Sequence, residues 1–71
     1  MIHIGQHIRH IAKTKGISAE ELSKRIFCSR THIYKLYRKY HLDTDILIRL
    51  SKALEHDFFA EYSKAIKLDR K

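Results

Sequence analysis

The sequence predicts an all-α domain, a compact bundle of about five short helices. Three observations carry that expectation. The 71 residues include no Pro and only two Gly, too few turn formers for a sheet sandwich. Apolar residues recur at spacings of three and four along most of the chain, the period of a helix face. Ser18, Ser29, Asp43 or Thr44, and Asp57 stand ahead of periodic runs, where helix N-caps are needed.

The first helix is read from Ile4, Ile8, Ile11 and Ala12, which share one face of a helix over about residues 3–15. Lys13 and Lys15 suit its negative dipole end, and Gly16 supplies a left-handed stop. Gly5 weakens its first turn. Ser18-Ala19-Glu20-Glu21 is a capping box opening a second helix, with Leu22 and Ile26 as its apolar side. That helix reaches only about Ile26, because Ser29 caps the next; Phe27 and Cys28 form the turn. From Ser29, the stripe Ile33, Leu36, Tyr37 and Tyr40 predicts a third helix over about residues 29–40. Leu47, Leu50 and Leu54, with Ile46 and Ala53, mark a fourth, and Asp57 caps a fifth carrying Phe58, Phe59 and Tyr62. A core stripe is usual at that aromatic spacing, so the three read as a lid on the core, with a dimerisation patch as the alternative. Residues 1–71 form one domain, and residues 65–71 have weak signals and are expected to fray.

Charge is distributed unevenly. Residues 1–40 hold nine Lys/Arg against two Glu, whereas residues 41–71 hold six against six. The formal net charge of +7 therefore lies on the front half. Between Glu21 and Asp43 stand Lys24, Arg25, Arg30, Lys35, Arg38 and Lys39, with no acid among them. A one-sided cationic surface on two short helices joined by a tight turn is the footprint of a DNA binder. On helical periodicity Arg30, Thr31, Tyr34, Lys35 and Arg38 oppose the apolar stripe. Arg30 can take guanine O6/N7 bidentately, and Thr31 can meet a base edge or a thymine methyl. Tyr34 and Lys35 complete the groove-facing set. Lys24, Arg25, Arg38 and Lys39, together with Ser29 and Arg9, suit the phosphate backbone, which sets register and affinity rather than sequence. Ser23 is small enough for close helix approach. Leu22, Ile26, Cys28, Ile33 and Leu36 fix the angle between the two helices.

These residues resemble the phage-repressor (Xre/Cro-type) family of helix-turn-helix regulators over residues 4–63. The likeness is carried by Ile4-Gly5-Gln6-His7-Ile8-Arg9, Lys15-Gly16-Ile17-Ser18-Ala19-Glu20-Glu21-Leu22-Ser23, Cys28-Ser29-Arg30-Thr31-His32-Ile33-Tyr34-Lys35-Leu36 and Leu50-Ser51-Lys52-Ala53-Leu54. It implies a lambda-repressor-like fold with the motif at about residues 19–38, helix 3 as the recognition helix, and a small transcriptional regulator. In three places the chain departs from the family pattern. Ala19 stands where a phosphate-bracing Gln is common. Phe27 replaces the turn glycine, implying a reshaped turn or a filled apolar gap. Tyr37-Arg38-Lys39-Tyr40 replaces the usual Glu and Gly, implying a longer third helix.

Other constellations read as structural. His3, His7 and His10 line one side of helix 1, but no carboxylate or second cysteine lies near them in sequence to close a metal site. The expectation is therefore no metal and no cofactor. Cys28 with His32 lacks a third, orienting residue, and Cys28 holds an apolar position, so a buried inert thiol is expected. No paired carboxylates or phosphate-cradling loop suggest an enzyme. One cysteine, no long apolar run and no signal-peptide core point to the cytoplasm. The expected partners are double-stranded DNA and a second copy in a two-fold homodimer, with no membrane and no small-molecule ligand. The rival is a protein-interaction module, antitoxin-like or adaptor, whose basic face meets an acidic partner.

Overall fold

The computed structural model describes residues 2–67, and it is built from five helices. They are α1 (Ile4–Thr14), α2 (Ala19–Arg25), α3 (Arg30–Tyr37), α4 (Thr44–Leu54) and α5 (Phe59–Ile66). Local capping chemistry sets most of the boundaries. Ser18 Oγ accepts from Glu21 N at 3.1 Å, Ser29 Oγ from His32 N at 3.1 Å, and Asp43 Oδ1 from Ile46 N at 2.8 Å. Each satisfies an amide that the helix itself leaves free. Asp43 rather than Thr44 is thus the α4 cap. His3 caps α1 in the same manner, its Nδ1 accepting from Gln6 N at 3.1 Å. Gly16 ends α1 with φ +72°, the left-handed turn anticipated for it.

One core is shared by α1 to α4, and α5 packs at its edge. α1 contributes Ile4, Ile8 and Ala12, α2 contributes Leu22, α3 contributes Ile33, Leu36 and Tyr37, and α4 contributes Leu47, Leu50 and Leu54. Ile26 and Phe58 complete it from the loops. Phe58 is fully buried and Tyr62 packs at the edge, as a lid should, while Phe59 keeps a substantial part of its ring in solvent. Phe58, not Asp57, is the N-cap of α5 and makes no side-chain cap; Asp57 stands one residue before it, its Oδ1 accepting from Phe59 N at 3.0 Å and its carbonyl from Ala60 N at 3.2 Å. Ala65 and Ile66 belong to α5 rather than to a frayed tail. The rest of that expectation, residues 68–71, lies outside the described residues.

The third helix is shorter than its sequence suggested. It stops at Tyr37, not Tyr40, for a tertiary reason. Arg38 N and Lys39 N turn back to the carbonyls of Lys35 and Leu36, tightening the last turn, and the Lys39 carbonyl accepts from Gly5 N at 2.9 Å. The start of α1 therefore abuts the carbonyl end of α3. A Cβ at Gly5 would come within 3.0 Å of the Leu36, Tyr37 and Lys39 carbonyl oxygens. Gly5 is thus a close-approach residue, not a weakness in the first turn. Tyr40, expected beside the core, instead lies half-exposed with its ring 4.0 Å from that of His3.

Gly5→Ala is expected to destabilise the domain by about 2–3 kcal/mol, although Ala is the better helix former. Urea denaturation followed by circular dichroism measures it. An unchanged midpoint would show that the two helix ends can part without loss.

Candidate nucleic-acid interface

α2 and α3 pack closely through small and apolar groups. Ser23 is buried, its Oγ donating to the Glu20 carbonyl at 2.6 Å while its own carbonyl accepts from Cys28 N at 2.9 Å. Leu22, Ile26, Ile33 and Leu36 lie behind it in the core. Cys28 is half-buried rather than fully enclosed, and desolvation pushes its thiol up. The protonated thiol is a weak nucleophile.

With Ile33, Leu36 and Tyr37 turned inward, the opposite side of α3 is left to solvent. Arg30, Thr31, Tyr34 and Lys35 are all exposed there. Ser29, Lys24, Arg38, Lys39 and Arg9 are exposed as well. None of these side chains makes an ion pair among the described residues. Arg25 is placed differently. Its Nε meets Glu21 Oε2 at 3.2 Å, and its guanidinium donates to the Ala53 carbonyl at 2.9 Å, tying α2 to α4.

A shallow recess of about 290 Å³ joins α1 to α3, lined by Gln6, Arg9, Tyr34, Tyr37 and Arg38. Burial pushes the Tyr37 phenol up, Tyr34 adds to the rise, and the Arg9 guanidinium opposes it. The phenol is therefore neutral at ordinary pH. Tyr34 stands edge-on to Tyr37, with ring centroids 6.2 Å apart. Two guanidinium-bearing residues and a half-exposed tyrosine at one recess suit an anionic group of phosphate size. The sequence groups Arg9 with Arg38 as backbone contacts and assigns Tyr34 to the bases; the fold puts all three at one recess. Gln6 is a new member of the set, and its signal was its i, i+3 relation to Arg9.

The turn keeps the shape that a glycine would give it, and Phe27 provides that shape. Its φ is +59°, and its side chain is 93% exposed. Neither a reshaped turn nor a filled apolar gap is present. Phe27 N donates to Lys24 O and Cys28 N to Ser23 O, which closes α2 with a left-handed C-terminal residue.

The three histidines of α1 do not act as a row. His3 is a cap, and His10 is exposed. His7 meets His56 and Glu61, with the three potential donor atoms within 4.8 Å of one another. The carboxylate missing near His7 in sequence arrives from α5. No helix among the described residues is long and apolar enough to cross a membrane.

Compared with known families, residues 7–58 match the model of the Cro/C1-type HTH DNA-binding domain. Comparison with curated proteins and with solved structures finds no match.

Phe27→Gly is expected to stabilise the domain by about 1 kcal/mol, since a left-handed L-residue is strained and this side chain buries almost nothing. A urea midpoint that falls would show that the ring has a packing role.

Proposed function

The chain belongs to the Cro/C1-type helix-turn-helix DNA-binding domain family, and from that premise we propose that it is a sequence-specific transcriptional regulator reading duplex DNA with α3. The observation that carries this reading is the outer face of α3. Arg30, Thr31, Tyr34 and Lys35 are all exposed on it, and no acid lies between Glu21 and Asp43 to oppose them. The N-terminal half of α3 enters the major groove, where Arg30 and Thr31 meet base edges and Lys35 follows one turn on. Tyr34 faces the groove wall beside Arg9 and Arg38. Those two residues, with Lys24, Lys39 and the Ser29 hydroxyl, hold the sugar-phosphate backbone on either side. Arg25 is left out of this set, because its guanidinium is occupied by Glu21 and Ala53.

One copy offers few base contacts. Discrimination among sites then calls for a two-fold dimer on half-sites about one helical turn apart. Apolar surface at Phe59 and Ile66 on α5 gives such a dimer material to bury.

Log K against log salt is expected to fall with a slope of about −3.6 per chain, from four backbone cations neutralising one phosphate each. Arg30→Ala should cost about 1–3 kcal/mol on the preferred site and flatten the preference at one base pair. Lys39→Ala should weaken all duplexes alike and reduce the slope by about 0.9. Fluorescence anisotropy over a salt series, with preferred and scrambled duplexes, reads all three. Equal behaviour of the two variants would refute the division into base and phosphate contacts. Failure to bind any duplex at low salt would favour the protein-interaction module.

A further inference from the structure

His7 lies on α1, His56 in the segment after α4, and Glu61 on α5. Their side chains converge. His7 Nε2 is 3.3 Å from Glu61 Oε2, and His56 Nε2 is 3.7 Å from Glu61 Oε1. These are ion-pair separations, yet His7 Nε2, His56 Nε2 and Glu61 Oε1 are buried with no hydrogen-bond partner. A buried nitrogen or carboxylate oxygen without a partner is costly, and three facing one another call for a shared occupant.

We propose that His7, His56 and Glu61 form a divalent transition-metal site for which Zn²⁺ is the fitting ion. Two imidazole nitrogens and one carboxylate oxygen are a donor set that zinc uses with a fourth ligand from solvent. Zinc–ligand bonds of about 2.0–2.2 Å in a tetrahedron put donor atoms about 3.3–3.5 Å apart. His7 Nε2 lies 3.3 Å from Glu61 Oε2, within that range, and one donor atom from each of the three residues lies within 4.8 Å of the others, so an ion needs only a small inward shift of the side chains. The side chains are 27–28% exposed, so water has access to the fourth position while the donor atoms themselves face inward.

The site is backed by the hydrophobic core, which fixes its geometry. The Phe58 ring stands against both imidazoles, with centroids 5.5 Å from His7 and 4.6 Å from His56. It forms an apolar wall that limits their rotation. Ser51 orders the segment carrying His56 and Phe58: its carbonyl accepts from His56 N at 3.0 Å and its Oγ from Phe58 N at 3.4 Å. A bound ion joins α1 to α5 across that wall, and it stabilises the folded state because it binds nothing comparable in the unfolded chain.

The test uses the tag-free chain, with isothermal titration of Zn²⁺, thermal unfolding with Zn²⁺ or chelator, and the visible spectrum with Co²⁺. The expected result is one Zn²⁺ per chain, a melting midpoint raised by several degrees, and the d–d absorption of a low-coordinate Co²⁺ centre. His56→Gln and Glu61→Gln should each weaken Zn²⁺ binding by more than about tenfold, the effect that even outer-sphere partners have on metal affinity. His10→Ala, on an exposed histidine of the same helix, should leave it unchanged. Circular dichroism of each variant without metal separates lost ligation from lost fold. Equal Zn²⁺ affinity across the variants, or no midpoint shift and no Co²⁺ band in the parent chain, overturns the proposal. DNA binding is not part of this readout, so the site stands or falls apart from the α3 face.

Discussion

The contact on which the rest of the domain depends is the meeting of the α1 N-terminus with the carbonyl end of α3. Gly5 brings two backbones within hydrogen-bonding distance, and its N–H takes the Lys39 carbonyl at 2.9 Å. A free amide in the first turn of α1 thereby meets a carbonyl just past the end of α3, an arrangement favourable for both dipole ends. It also ends α3 at Tyr37 and fixes the rotation of that helix about its own axis. With Ile33, Leu36 and Tyr37 committed to the core, Arg30, Thr31, Tyr34 and Lys35 have only the solvent side left. The exposed face of α3 is thus a consequence of where the helix is made to stop and what it must bury.

Electrostatics reinforce that geometry without creating it. The net charge of +7 is a property of the front half of the chain, but only exposed and unpaired cations contribute to a field that reaches a duplex. Arg25 shows the distinction. In sequence it is one of six basic residues in an acid-free window; in the fold it closes α2 onto α4 through Glu21 and the Ala53 carbonyl. Its exposed pairing with Glu21 is worth little. The hydrogen bond to a carbonyl of another helix gives it a positional role. Arg9, twenty-one residues before Arg30, joins the α3 face at the recess it lines with Tyr34, Tyr37 and Arg38.

What was legible in the sequence was what local chemistry decides. Ser18, Ser29 and Asp43 announce helix starts through side-chain oxygens at fixed offsets, and each does so in the fold. The apolar stripes of α1, α3 and α4 follow from period alone. Tertiary decisions were not legible. The stop after Tyr37 is imposed by Gly5, thirty-two residues earlier, so the stripe running on to Tyr40 was misleading. The conformation at Phe27 is not legible because residue type reports a preference and not what a closing turn demands. Phe27 accepts φ +59° with its ring in water. The His7 cluster draws its members from three parts of the chain, and no spacing rule links His7 to Glu61.

Helical geometry explains how so small a domain keeps two surfaces apart. Successive residues on α1 are rotated by about 100°. Ile8 therefore points into the core, His7 turns toward α5, and Arg9 turns toward α3. Three neighbours in sequence thus address three different bodies. α5 buries none of its own residues, so its attachment rests on Phe58, the Tyr62 edge and the His7–His56–Glu61 cluster. An element held so lightly opens at lower free energy than the α1–α3 junction. The cluster belongs to the α5 end of the domain. The α3 face remains set by a contact on the other side of the same helix.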